Sequence, residues 1–319
     1  NVHERNYREK ISKLPKNRNK VKRYKDKTLK HILSMNIPEK DRMSLVTQKK
    51  LSSRMVTLWN FLIDEYPEHI GVNVFKKKSQ SRSQIKLKDK KPHFTDDDLL
   101  IIFNHRTYLT YIFDNIYHKN NKLSYYFIPI LGCFTGCRLE ELCMMRVKDI
   151  IKVDDIWVYR IREEGEYGNE ETLVKNSYSE RDIPLHSVLV DTLGFIKYVN
   201  HIKKLGKERV FYELPKISNK YQSYLGKFFN TRYLKKIGLK DDGRKVSFHS
   251  FRHSVETHLT NQNVNPRFID FLQGHSSKDT GGNIYMKGIK PEVLKNECVE
   301  KIDYGIDWEN LKVDWKNII

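Results

Sequence analysis

No apolar run in the sequence approaches the roughly 20 residues that a membrane-spanning helix needs, and no charged-then-apolar leader opens it. A membrane-embedded or exported protein is therefore not expected. Cysteine is scarce: Cys133, Cys137, Cys143 and Cys298 form no CxxC pair and no disulfide framework, which points to a reducing compartment. Neither GxGxxG nor GxxxxGK[ST] occurs, so nucleotide-dependent helicases and kinases are excluded. Repeats and low-complexity segments are missing too, and 319 residues with nine prolines suit one large or two ordinary domains. The chain starts at Asn1 and not at Met, so a segment upstream is expected to be missing.

What the sequence has in excess is positive charge, and it is unevenly placed. Residues 1–91 carry 25 Lys+Arg against 9 Asp+Glu, whereas residues 92–319 carry 34 against 31, within a total of +19. Each cation set on a phosphate releases condensed counterions, so a lopsided basic segment, densest from Lys10 to Lys30, favours a nucleic-acid partner. A solvated, disordered basic tail up to about residue 30 is the competing reading.

Along the chain, Ser44 to Asp64 bears Leu45, Leu51, Met55, Leu58, Trp59 and Leu62 at helical spacing, which predicts a small helical first domain. Residues 76–92, rich in lysine and serine and without an apolar face, read as a linker. A second domain is expected to begin near Phe94, where Thr95 can cap a helix opened by Asp96, Asp97 and Asp98. Helical patterns run over Asp97–Arg106 and Tyr125–Leu131 and resume at Arg138–Val147 after a break at Gly132–Gly136. Ile156–Arg162 reads as a strand, and Thr172–Lys175 and Arg181–Leu185 read as a hairpin about a polar turn. The rest is helical up to a tail holding Trp308 and Trp315, whose indoles must dock somewhere, on this chain or on a neighbour. The expected fold is mainly α with a small antiparallel β-sheet.

Chemistry concentrates in three strings. In His249-Ser-Phe-Arg252-His253, the residues Phe251, Val255 and Leu259 fall on a core face and leave His249 and Arg252 as i, i+3 neighbours. A guanidinium grips two phosphate oxygens and an imidazole moves a proton near neutral pH, a pairing suited to a phosphodiester. Thr135-Gly136-Cys137-Arg138 places an arginine after a glycine turn, with Glu141 one helical turn on to orient it; Gly274-His275 is followed ten positions later by Tyr285. His249 and His253 have the spacing of a zinc pair, but the glutamate of HExxH is missing and Arg252 would repel the ion, so no metal is expected.

Together, Arg138, Lys175, His249-x-x-Arg252, Gly274-His275 and Tyr285 stand in the order and rough spacing of the tyrosine recombinases, or phage-type integrases. The sequence resembles that family over essentially its whole length, and its mobile-element integrases more than the compact chromosome-dimer resolvases. The resemblance implies a DNA breaking-rejoining fold: a helical core-binding domain over 1–85, the linker 76–92, a catalytic domain over 93–290 and a C-terminal tail over 291–319. It implies that Tyr285 attacks a scissile phosphate to form a 3′-phosphotyrosine, with no cofactor. Arg138 and Arg252 would hold the non-bridging oxygens, His249 would take or relay the tyrosine proton, His275 would hydrogen-bond the phosphate, and Lys175 would protonate the departing 5′ oxygen. DNA contacts are expected at Lys16, Arg18, Lys20, Lys22, Arg23, Lys25, Lys76, Lys77 and Lys78. Implied partners are double-stranded attachment sites, three further copies in a tetramer on synapsed DNA, and accessory DNA-bending or excision factors. A cytoplasmic, nucleoid-associated protein encoded by a bacterium or phage is the matching location. A type IB topoisomerase or hairpin-forming resolvase would use the same chemistry, and a DNA-binding relative that has lost activity would keep the fold.

Overall fold

The computed structural model of the protein describes residues 2–76, 92–113, 122–162, 180–241, 243–275 and 289–317. Lys77, Lys78, most of the expected linker, the expected strand Thr172–Lys175 and Tyr285 lie outside the described residues. The chain forms two compact units, Asn1–Lys88 and Asp89–Ile319.

The first unit is built from helices α1 (Val2–Lys13), α2 (Leu29–Ser34) and α3 (Leu45–Glu65). Ser44 caps α3 by accepting the Thr47 N–H at 3.3 Å, and Thr28 caps α2 by accepting that of His31. Its core is small. Tyr24, Ile32 and Ile37 form one buried cluster, and Phe75 packs separately against Tyr7 of α1 and Trp59 of α3. The periodicity of α3 yields a half-buried stripe through Leu51, Met55, Trp59 and Leu62, but Leu45 and Leu58 stay exposed and no residue of the helix is fully buried. The basic segment is folded rather than a loose tail: α1 occupies its first part, and turns follow that are pinned by buried Tyr24 and by Lys16, whose N–H donates to Asp41 O at 2.8 Å.

In the second unit, α4 (Asp96–Ile102) opens with the expected cap. Thr95 Oγ1 accepts the Asp98 N–H at 3.2 Å, and Asp98 Oδ2 accepts the Thr95 N–H at 3.0 Å. The helix predicted to run to Arg106 ends at Ile102 instead, because Asn104 starts a new one, α5 (His105–Phe113), by accepting the Thr107 N–H. Helix α6 (Lys122–Thr135) is buried at every position from Leu123 onward, as a segment apolar all round requires. Gly132 does not break it. A Cβ there would lie 2.7 Å from the Phe248 ring, so this glycine admits close packing, and the chain turns only at Gly136, whose φ is +60°.

Helix α7 (Leu139–Cys143) is much shorter than the predicted Arg138–Val147, because the backbone beyond it pairs with residues 208–210: Val147 N donates to Glu208 O and Val210 N to Met145 O. The sheet has three antiparallel strands in the order β1 (Ile150–Val153), β2 (Ile156–Ile161), β3 (Arg181–Pro184). Strand β1, unpredicted, joins β2 through Asp154 and Asp155, both at positive φ as a tight hairpin turn demands. Across β2 and β3, Arg160 and Asp182 are register partners and bond through both carboxylate oxygens.

Helices α8 (Phe195–Lys204), α9 (Ser223–Lys227), α10 (Leu234–Lys236), α11 (His249–Asn261), α12 (Pro266–Gln273) and α13 (Pro291–Glu297) complete the unit. As predicted, α11 turns Phe251, Val255 and Leu259 into the core, where Phe251 meets the rings of Phe94, Phe229 and Phe248. The tail docks on its own chain: Trp308 packs on Phe103 and Phe134, Trp315 on Tyr198, and Tyr126 donates its hydroxyl to Leu311 O at 2.7 Å. Glu300 secures the approach by accepting both the N–H and the hydroxyl of Ser187.

Candidate active site

The site assembles where α6 ends. Thr135 Oγ1 donates to Leu131 O at 2.6 Å and accepts the Cys137 N–H, so the threonine closes the helix and shapes the turn that Gly136 makes. Arg138 is thereby delivered to the head of α7. Glu141 of α7 turns back to accept the Arg138 backbone N–H at 2.8 Å through one oxygen and its guanidinium at 2.6 Å through the other. Burial alone would raise the Glu141 carboxyl, but Arg181 and Arg138 outweigh it and hold its pKa below the ordinary value. The peptide of Glu141 is held from the sheet, where the hydroxyl of Tyr159 on β2 donates to Glu141 O at 2.6 Å.

Arg252 approaches the same turn from α11. Its Nη1 donates to Gly136 O at 3.1 Å, and its own carbonyl accepts Gln273 Nε2 at 2.6 Å, which ties α11 to the end of α12. The residue is only 2% exposed, yet its Nη2 has no hydrogen-bond partner among the described residues. Two neighbouring buried atoms, His253 Nε2 and Gln273 Oε1, also lack one. Burial first, then the charges of Arg138 and Arg181, push the Arg252 guanidinium down to about 10. A desolvated cation crowded by two others and left with an open N–H can receive an anion.

His275 follows the left-handed cap Gly274 of α12, and its Nδ1 lies 3.3 Å from Asp270 Oδ1. Burial and the charge of Arg252 lower its pKa against the opposing pull of Asp270 and so favour the neutral ring, a form able to donate one hydrogen bond. His249 begins α11, half-buried, its ring 5.0 Å from that of His253. Thus Arg138, Glu141, Arg252 and His275 are gathered at one place and His249 stands one helical turn before Arg252. Lys175 and Tyr285 are outside the described residues. Of the expected DNA contacts, Lys16, Arg18, Lys20, Lys22, Arg23, Lys25 and Lys76 are all exposed on the first unit.

Arg181 escaped the sequence reading. Its side chain is 1% exposed, its Nη2 donates to Glu141 Oε2 at 3.0 Å and its Nε to Leu272 O at 3.0 Å. The signal was there in the strand period: Arg181 is in phase with Ile183 and Leu185, both buried, so a charge at that position had to point inward. Among the described residues no three His, Cys, Asp or Glu side chains are grouped to hold a metal ion, and no helix is long and apolar enough to cross a membrane.

The Phage integrase family model matches residues 107–290, more than half of the chain and the stretch that carries every group just described around Arg252. This chain belongs to the phage integrase family. It is 25% identical over 186 residues to a tyrosine recombinase of Pseudothermotoga lettingae, covering 58% of this chain and 56% of that one. To a tyrosine recombinase of Agathobacter rectalis it is 29% identical over 164 residues, covering 50% and 47%. The chain therefore spans about half the length of these curated relatives. Among solved structures, a lambda integrase(75–356) dimer bound to a COC′ core site aligns at TM-score 0.48 and 21% identity, over 77% of this phage integrase family member and 75% of that chain. XerH recombinase bound to palindromic difH aligns at TM-score 0.49 and 18% identity, over 79% and 66%.

Proposed function

We propose that this phage integrase family member is a site-specific tyrosine recombinase that integrates and excises a mobile genetic element. The observation that carries the reading is the buried Arg252, its Nη2 without a partner among the described residues and its charge felt at both Arg138 and His275; in this reading the three would grip a phosphate's non-bridging oxygens. The tyrosine recombinase relatives and the order of the motifs support it.

In this reading Tyr285 gives up its phenolic proton to His249 and its oxygen attacks the scissile phosphorus in line. The P–O5′ bond breaks as the P–Oη bond forms, and Lys175 supplies the proton that the leaving 5′ oxygen takes up. The 3′-phosphotyrosine keeps the energy of the phosphodiester, so a 5′ hydroxyl from another strand reverses the step and rejoins the DNA. Arg138 and Arg252 neutralise the charge that grows on the equatorial oxygens, where one preorganised donor is worth about 10²- to 10³-fold in rate. The exposed cations of the first unit bind the duplex backbone, and four copies on two synapsed duplexes would supply the paired strand exchanges.

The test uses nicked duplexes cut from the DNA that flanks the coding sequence, in which the released fragment diffuses away and traps the covalent complex. Wild-type protein forms a denaturant-resistant adduct and Tyr285→Phe forms none while binding the same duplex; an adduct that survives the change overturns the nucleophile assignment.

A further inference from the structure

Five groups in the candidate site came from motif strings, but the structure makes a sixth the hinge between them. Arg181 sits at the first position of β3, completely enclosed, and its fork reaches two of the strings at once. Through Nη2 it holds Glu141 Oε2, the oxygen that also receives the Arg138 backbone N–H, while the other oxygen of that carboxylate holds the Arg138 guanidinium. Through Nε it holds Leu272 O in the last turn of α12, two residues before Gly274 and three before His275. Contact with the glycine itself is closer still: a Cβ at Gly274 would lie 2.6 Å from Arg181 Nη1, so position 274 is glycine both for its φ of +62° and because the guanidinium fills the space.

We propose that Arg181 is a positioning residue for phosphoryl transfer: one buried guanidinium that sets Arg138, through Glu141, and His275, through the Leu272–Gly274 turn, at a fixed separation around the phosphate. The proposal rests on the function proposed above. Its physical basis is that two donors act together on one phosphate only if their spacing is held to fractions of an ångström, and a planar fork with fixed N–H directions does this where a flexible ammonium cannot. The pair is built for rigidity rather than for net stability, because burying Arg181 and Glu141 spends most of their attraction on desolvation.

The experiment compares Arg181→Gln, Glu141→Gln, the double variant and Arg181→Lys with wild type in single-turnover cleavage of the nicked duplex, each at saturating protein and after thermal melting shows it folded. The expected result for Arg181→Gln is DNA affinity within about twofold of wild type and cleavage slowed by about 30-fold or more, with the double variant no slower than the worse single one, since both changes sever one chain of contacts. A carbon-13 titration of Glu141 should move upward in Arg181→Gln, a readout that a merely structural arginine elsewhere would not shift. Should Arg181→Gln not fold, Arg181→Lys carries the test, with cleavage expected about tenfold slower at unchanged affinity. A folded Arg181→Gln, or in its place Arg181→Lys, that cleaves within about threefold of wild type overturns the positioning role and leaves the proposed function standing. Absence of any adduct with wild-type protein overturns that function and this role with it.

Discussion

The two units of this chain spend their residues differently. In the second, a continuous buried cluster runs from Phe94 to Trp315, and aromatic rings of α5, α6, α8, α11 and the tail interlock within it. In the first, three residues make the principal cluster, the longest helix buries nothing fully, and Leu45, Val46, Leu58 and Phe61 face solvent. Charge runs the other way, with nearly all of the net positive charge in residues 1–91. In the proposed function the difference would separate two tasks: the second unit would hold a few polar groups in place, and the first would present cations, whose attraction to a polyanion needs reach rather than rigidity.

That contrast can be broken or sharpened by substitution. The largest effect is expected in the second unit at the proposed phosphate receptor: Arg252→Lys should slow adduct formation by about 10²-fold or more, because a point charge cannot replace the fork, with DNA affinity nearly unchanged. Next is the core beneath it, where Phe251→Ala should cost about 3–5 kcal/mol in denaturant unfolding. Exposed Phe61 of α3 is the control for the first unit; Phe61→Ser should change stability by less than about 0.5 kcal/mol. Similar losses at the two positions would show that the small unit is held as tightly as the large one.

Acidic side chains of the second unit sharpen the comparison through pH. The Glu141 carboxyl is depressed in the folded state, so its stabilising contribution is present above the ordinary carboxyl value and fades as the solution is acidified through its folded value. Glu213 is the opposite case. Burial raises it to about 6, so the folded protein prefers it protonated and the cost of ionising it grows between the ordinary value and that point. Glu213→Gln should therefore raise the melting temperature at pH 7.5 and leave it unchanged near pH 4, whereas Glu141→Gln should lower it more at the higher pH. A subtler change is expected on the first unit. Replacing Lys20, Lys22 and Arg23 by Gln should leave cleavage at saturation intact and reduce the slope of log affinity against log salt by about 2–3, as phosphate contacts would require.

Local physics made much of this fold readable in advance. The Thr95 cap, the core face of α11 and strand β2 each follow from a side-chain pattern spanning a few residues, and the structure bears them out. Glycine was read with half its meaning: Gly136 turns the chain, while Gly132 serves a helix contact with Phe248 over a hundred positions away, which periodicity cannot express. The same holds within the site. Sequence spacing placed Glu141 beside Arg138, but the residue that buries and orients that carboxylate, Arg181, lies forty positions on and is reached only through the sheet. Strand β1 went unseen because four residues with a lysine among them give too short an alternation.

The central claim is that the anion receptor around Arg252 exists to hold a DNA phosphate for attack by Tyr285. Trapping the protein on a nicked duplex, digesting the complex and sequencing the nucleotide-bearing peptide by mass spectrometry reads this out directly. The account predicts a 3′-linked nucleotide on Tyr285 and on no other residue; a nucleotide carried by a different side chain, or a 5′ linkage, would contradict it.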